Sequence, residues 1–222
     1  MGTIAGSPTG VLMRNRRPSR LGTFRPCPTS LGSAGQISRD AMVEERLTTP
    51  RCELRPITVG DAEQLHDLWS SPGVRRFLWD DEIIPLERTH AAIGKSQRMF
   101  GEHAFGLWGV WPTASRKLIG FCGLWPFREP PTLELLYGIA ESLWGQSYAT
   151  EVAQAVMTYC FDALHMPILR ASTDVANVAS MRVLEKLGFE RVRRVTVGGL
   201  DTVFYEMPRR RLGQGSGDQA KW

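Results

Sequence analysis

The sequence predicts one α/β domain, a mixed and mostly antiparallel central sheet of about seven strands with helices on both faces. Three observations point there. The 222 residues are 42% apolar and 23% charged, enough for one compact core and too few for two full domains. Between residues 105 and 139 three strand-like runs follow one another with turn signals between them, as in an antiparallel meander. Helical apolar periodicity then returns at residues 149–165 and 178–187, on either side of a short buried-strand run.

In chain order the pattern sharpens at Leu47. Residues 52–57 alternate as a strand does and stop at Thr58-Val59-Gly60-Asp61, a helix start with Thr58 as N-cap and Asp61 at the third helical position. The helix covers about 60–70, with Leu65, Leu68 and Trp69 on one stripe. Pro72-Gly73 breaks it, and after an acidic loop at Asp80, Asp81 and Glu82, Pro85 opens a second helix through about Met99. The meander strands are 105–111, 117–125 and 133–139, the last after the Pro130-Pro131 break. The helix at 149–165 is the longest and most regular, with Val152, Val156, Tyr159 and Cys160 on one face. Residues 169–173 read as a buried strand, 178–187 as a helix ended by Gly188, and 189–197 with 202–207 as a hairpin across Gly198-Gly199.

The net charge of +4 suggests a polyanionic partner until the charge is located. Residues 1–39 hold six Arg and no acid, and residues 208–222 carry a net +3, which leaves residues 40–207 at −5. The folding part is acidic, so no nucleic-acid partner is expected. Residues 1–41, rich in Gly, Pro, Ser and Arg without apolar period, read as a disordered basic tail. That stretch is either an untargeted tail or lies upstream of a true start at Met42; residues 42–207 are the domain and 208–222 a second basic tail. No apolar run reaches the length of a membrane span, so a soluble protein without a membrane partner is expected. The cysteines at 27, 52, 122 and 160 show neither metal-ligand nor disulfide spacing; Cys122 and Cys160 read as buried inert thiols, suited to a reducing cytoplasm. The four His stand away from any triad or ligand spacing, so no metal is expected.

The most informative segment runs from Glu134 to Glu151, a strand that passes through a short loop into the long helix. It sets the unpaired first amides of that helix, at the positive end of its dipole, beside a strand end. Gly145, Ser147 and Ala149 are small enough for an anion to approach the backbone. By itself this is equally an ordinary strand-to-helix turn.

A second segment, Asn177-Val178-Ala179-Ser180-Met181-Arg182-Val183-Leu184-Glu185-Lys186-Leu187-Gly188-Phe189, stands about thirty residues on. It resembles the end of the acetyl-CoA-binding domain of the GNAT N-acetyltransferases. The stretch Trp144-Gly145-Gln146-Ser147-Tyr148-Ala149-Thr150-Glu151 resembles their pyrophosphate loop. The branch most similar is the RimJ/RimL-like ribosomal-protein N-terminal acetyltransferases, and the likeness extends over about residues 47–207.

The resemblance implies a splayed, V-shaped acetyl-CoA slot beside the strand that begins at Glu134. Backbone groups of Leu136, Tyr137, Gly138 and Ile139 would pair with the pantetheine arm, and the amides of Gly145, Gln146, Ser147, Tyr148, Ala149 and Thr150 would hold the pyrophosphate. Asn177 would both cap its helix and touch the cofactor. Two loop positions depart from the family pattern: Trp144 stands where Gln or Arg is usual and Ser147 where Gly is usual.

Acetyl transfer to an amine needs a base for the amine and a proton for the leaving sulfur. By resemblance Glu134 is the candidate general base, directly or through water, and Ser180 the proton donor. Leu184 stands where many members carry a donor Tyr, so that role does not transfer. Tyr137 and Tyr148 are alternative donors but read better as packing residues. Trp69, Trp79, Trp108, Trp111 and Trp125 read mostly as core, with lining of the acceptor slot the alternative for Trp79, beside the acidic loop.

The expected function is transfer of an acetyl group from acetyl-CoA, as co-substrate, to a primary amine by direct attack. The acceptor is a protein N-terminus or a small-molecule amine, drawn by the acidic loop if that loop is not merely solvated, and the protein is a monomer or homodimer. The competing expectation, from Ser147 and Leu184, is a non-catalytic acyl-CoA-binding or regulatory module.

Overall fold

The computed structural model describes residues 46–127 and 131–209. The expected tail at 1–41, most of the tail at 208–222 and Cys27 lie outside them. Strands β1 (Leu47–Thr48) and β2 (Cys52–Pro56) lead into helices α1 (Ala62–Ser70), α2 (Pro72–Leu78) and α3 (Leu86–His103). The meander is β3 (Leu107–Pro112), β4 (Gly120–Phe127) and β5 (Thr132–Ile139). Then come α4 (Tyr148–Asp162), β6 (Ile168–Asp174), α5 (Val178–Lys186), β7 (Glu190–Val197) and β8 (Leu200–Pro208).

The expected central sheet of about seven strands, splayed beside the strand that begins at Glu134, is formed as two hydrogen-bonded sheets, in the orders β1-β2-β3-β4-β5 and β6-β8-β7. Strands β5 and β6 lie side by side with no ladder joining them. The additional strand is β1, two residues too short to show a period in sequence.

Pro72-Gly73 ends one helix and starts another. Proline lacks only an N–H that has no partner in a first helical turn, so Pro72 opens α2 where the sequence suggests a loop. The start signal at Thr58 is realised through Asp61, whose carboxylate accepts the Thr58 N–H at 2.9 Å and its hydroxyl at 2.8 Å. Gly198 and Gly199, with φ of 58° and 86°, make the two-residue hairpin turn between β7 and β8.

Side-chain alternation assigns the faces. Phe121 of β4 meets Trp69 of α1 edge-on at 5.7 Å, and Lys95 of α3 lies 4.7 Å over Trp125, so α1, α2 and α3 cover that face. On the opposite face Trp108 packs on Tyr159 of α4 at 5.4 Å, and Tyr137 reaches α5. Both faces are closed by large apolar side chains, with Trp69, Trp108 and Trp125 completely buried.

Candidate active site

The gap between β5 and β6 opens a cavity of about 730 Å³ that passes through the sheet. Its size is within the range of small-molecule sites. One wall is β5, where Ala140 N–H donates to the Ile119 carbonyl at 2.8 Å. Antiparallel alternation then gives the ladder bonds with β4 to Leu136 and Gly138. The N–H and C=O groups of Leu135, Tyr137 and Ile139 face the gap. The expectation that all of residues 136–139 offer backbone groups is therefore corrected: Leu136 and Gly138 contribute cavity surface, and Leu135 joins the backbone set. The Ile139 carbonyl is already taken by the Trp144 indole N–H at 2.7 Å. Trp144 thus ties the loop to the strand end.

The loop into α4 turns on two left-handed residues, Gly145 at φ 76° and Ser147 at φ 65°. Open space surrounds the position of a Gly145 Cβ. Ser147 departs from the family pattern at a backbone conformation that disfavours a side chain, so its difficulty is torsional. Gly145, Ser147, Tyr148, Ala149 and Thr150 line the cavity. Gln146 does not: its amide donates to the Ser142 carbonyl at 3.3 Å and its own carbonyl accepts from Arg51 at 3.1 Å.

Arg51, in the turn between β1 and β2, was not marked by any sequence motif. Its Nε donates to Glu151 at 2.7 Å and its guanidinium lies 4.0 Å over the Tyr148 ring, so it clasps the first turn of α4 from outside.

Asn177 caps α5, its Oδ1 accepting the Ser180 N–H at 3.1 Å. Ser180 lines the cavity, its Oγ 2.9 Å from the Tyr137 hydroxyl, which also donates to the Ser180 carbonyl at 3.1 Å. Burial pushes the Tyr137 phenol well above its ordinary value and outweighs the opposing Ser180 hydrogen bond. The phenol stays protonated. Leu184 is 1% exposed, in the core.

Glu134 is 2% exposed, not a carboxylate facing solvent, and it does not line the cavity itself. It accepts the Ser172 hydroxyl at 2.6 Å across the gap. Ser172 does line the cavity, so it stands between Glu134 and that space.

The acidic loop is largely neutralised. Asp81 pairs with Arg75 at 2.7 Å and Glu82 with Arg88 at 3.0 Å, and of the three acids only Asp80 lines the cavity. Of the two readings of Trp79, core and slot, the structure gives the core: it is 5% exposed and packs on Trp69 at 5.4 Å, away from the cavity wall. Cys52, Cys122 and Cys160 are free and buried, and burial pushes the Cys160 thiol up to about 12. No described helix is long and apolar enough to cross a membrane.

The family model for the acetyltransferase (GNAT) domain matches residues 51–190. The chain belongs to the GNAT acetyltransferase family. Among curated relatives, the uncharacterized N-acetyltransferase YoaA of Bacillus subtilis is 30% identical over 146 residues, covering 65% of this chain and 82% of that protein. A solved acetyltransferase from Agrobacterium tumefaciens superposes with a TM-score of 0.64 at 22% identity, covering 73% of this chain and 93% of that one. RimL, the ribosomal L7/L12 α-N-protein acetyltransferase solved with coenzyme A, gives 0.63 at 17% identity, covering 73% and 97%. This GNAT protein is an acetyl-CoA-dependent acetyltransferase, with the mixed α/β fold of its family.

Proposed function

We propose that this GNAT protein, of the RimJ/RimL-like type, acetylates a primary amine by direct attack, with acetyl-CoA held in the cavity between β5 and β6. The observation that carries the proposal is that one cavity joins the left-handed loop at the start of α4, the free edge of β5 and two hydroxyls, Ser172 and Ser180, on opposite faces of the sheet. The residues present suit the donor. The amides of Gly145, Ser147, Tyr148, Ala149 and Thr150 would hold its pyrophosphate, Leu135 and Tyr137 would pair with its pantetheine arm, and Asn177 would stand beside it on the α5 side.

Bound acetyl-CoA supplies a thioester carbon at which a C–N bond forms as the C–S bond breaks. Glu134, through Ser172, takes the proton that the attacking nitrogen loses. Ser180 gives its Oγ proton to the departing sulfur and recovers one through solvent, while Tyr137 holds the Ser180 hydroxyl in place. The three buried, unpaired cysteines suit a reducing cytoplasm.

Thermal unfolding of the full chain with acetyl-CoA tests the donor site. At about 100 times its Kd a ligand bound only by the folded state adds about 2.7 kcal/mol. Stabilisation by acetyl-CoA but not by adenosine diphosphate, together with amine-dependent release of free thiol, supports the proposal. Stabilisation without thiol release for any amine favours the non-catalytic module, and no stabilisation overturns the donor site.

A further inference from the structure

Resting on that reading, a contact between α2 and the donor loop links the two sides of the cavity. Helix α2 has seven residues, too few to hold its form without help from the rest of the fold. Its N-cap gives none: the Ser71 hydroxyl donates back to the Leu68 carbonyl at 2.6 Å and does not cap α2. The cap comes instead from 68 residues further along the chain. The Gly73 N–H, one of the first-turn donors that a helix leaves unpaired, donates to the Glu141 carboxylate. That carboxylate also places a negative charge at the positive end of the helix. A Cβ at Gly73 would lie 2.5 Å from the Glu141 carboxyl carbon, so it is the lack of a side chain at 73 that lets the carboxylate reach the backbone.

Glu141 opens the 3-10 turn Glu141–Leu143, which leads from β5 into the loop before α4. The segment is braced from within. The Leu143 N–H donates to the Ala140 carbonyl at 2.9 Å, the Trp144 N–H to the Glu141 carbonyl at 3.1 Å, and the Trp144 indole to the Ile139 carbonyl at 2.7 Å. Gly145, where the expected pyrophosphate loop begins, follows directly on it. A ligand that orders the loop therefore holds Glu141 as well.

At its other end the contact bears on the wall. Gly73, Val74, Phe77 and Leu78 of α2 line the cavity, on the face of the sheet that α1, α2 and α3 cover. Alternation along β5 puts Glu134 on that same face, because Gly138 lies against Phe121 while Tyr137 turns toward α5. The position of α2 thus bounds the space beside Ser172 and Glu134.

We propose that Glu141 is a positioning residue for the transfer. By capping α2 from the donor loop it couples the two sides of the cavity, so that a donor bound on the loop fixes α2 around the space where the amine attacks.

Hydrogen–deuterium exchange of the full chain, read by mass spectrometry with and without coenzyme A, tests this without an acceptor. In wild type, coenzyme A should slow exchange across residues 145–151 and, about fivefold or more, across 74–79. In Glu141→Ala the slowing across 145–151 should remain, while 74–79 should exchange about tenfold faster without ligand and respond to coenzyme A by less than about twofold. Glu141 is exposed, so its loss leaves the core intact. Gly73→Ala, whose methyl group takes the place of the Glu141 carboxyl, should act in the same way from the other side of the contact. Glu141→Gln, which keeps an oxygen for the Gly73 N–H, should retain the response. An undiminished response of 74–79 in both Glu141→Ala and Gly73→Ala overturns the proposal, because the ligand would then hold α2 directly. So does slowing confined to 145–151 in wild type, a result that leaves the donor site standing. No slowing in either segment overturns the donor site and this proposal with it.

Discussion

Arg51 and Glu151 stand 100 residues apart in the chain and meet through the Arg51 Nε at 2.7 Å and the Arg51 backbone N–H at 3.1 Å. The same guanidinium donates to the Gln146 carbonyl at 3.1 Å, so one side chain from the β1–β2 turn fixes both the loop and the first turn of α4. On the proposed reading Arg51 positions the loop that would hold the donor's phosphates, and it does not line the cavity itself.

Removing Arg51 is therefore expected to act on binding and not on chemistry. In Arg51→Ala the KM for acetyl-CoA should rise about tenfold, with kcat within about twofold. With S-acetylpantetheine, which lacks the pyrophosphate, variant and wild type should give the same kcat/KM. Steady-state kinetics with both donors checks this, and an equal loss with each would show that Arg51 only supports the fold. Little change in unfolding temperature is expected, since the pair is partly exposed.

Ser147 carries a side chain at φ 65°. Glycine adopts this conformation freely, so Ser147→Gly should stabilise the chain by about 0.5–1 kcal/mol, even after the greater entropy of an unfolded glycine. Differential scanning calorimetry should show a rise of a few degrees. A fall would mean that the Ser147 hydroxyl holds the loop more strongly than its backbone strains it.

The two hydroxyl pairs make separable kinetic predictions. Glu134→Gln should lower kcat about a hundredfold while acetyl-CoA still binds, measured by turnover and by calorimetric titration. Ser180→Ala should lower kcat about tenfold. Tyr137→Phe should cost much less in the Ser180→Ala background than in wild type, because the two hydroxyls lie 2.9 Å apart and act together. Additive losses would separate their roles.

Asp61 predicts a pH dependence of stability. Burial opposes its ionisation, but the Arg55 hydrogen bonds at 2.7 and 2.9 Å, with those from Thr58, outweigh burial and hold its carboxyl below the ordinary value. A depressed folded value means the contribution is complete above the unfolded value of about 3.9 and is lost as pH falls through the folded one. Asp61→Asn should cost about 2 kcal/mol at pH 7 and progressively less below about pH 4, measured by urea unfolding.

Asn177 as a helix cap and the glycine turn at Gly198-Gly199 were legible in the sequence, because each acts on backbone groups within a few residues. So were the two motifs that mark the loop before α4 and the start of α5. The structure adds Ser172, whose bond to Glu134 spans 38 residues, and the indole of Trp144, whose partner is a carbonyl at the end of a strand. Neither leaves a local pattern. Of the two readings the sequence leaves for Trp79, core and slot, the packing of α1 on α2 decides for the core by turning it against Trp69.

By itself the sequence determined the order of elements, the caps and turns that bound most of them, and the family to which the chain belongs. These rest on propensities and on short-range hydrogen bonds that neighbouring residues settle among themselves. The tertiary structure decided which backbone groups face the gap between β5 and β6, which acids of the loop are neutralised, and that Glu134 reaches the cavity through Ser172. Those are outcomes of strand register and of packing between distant segments, where a one-residue shift would turn each side chain to the other face.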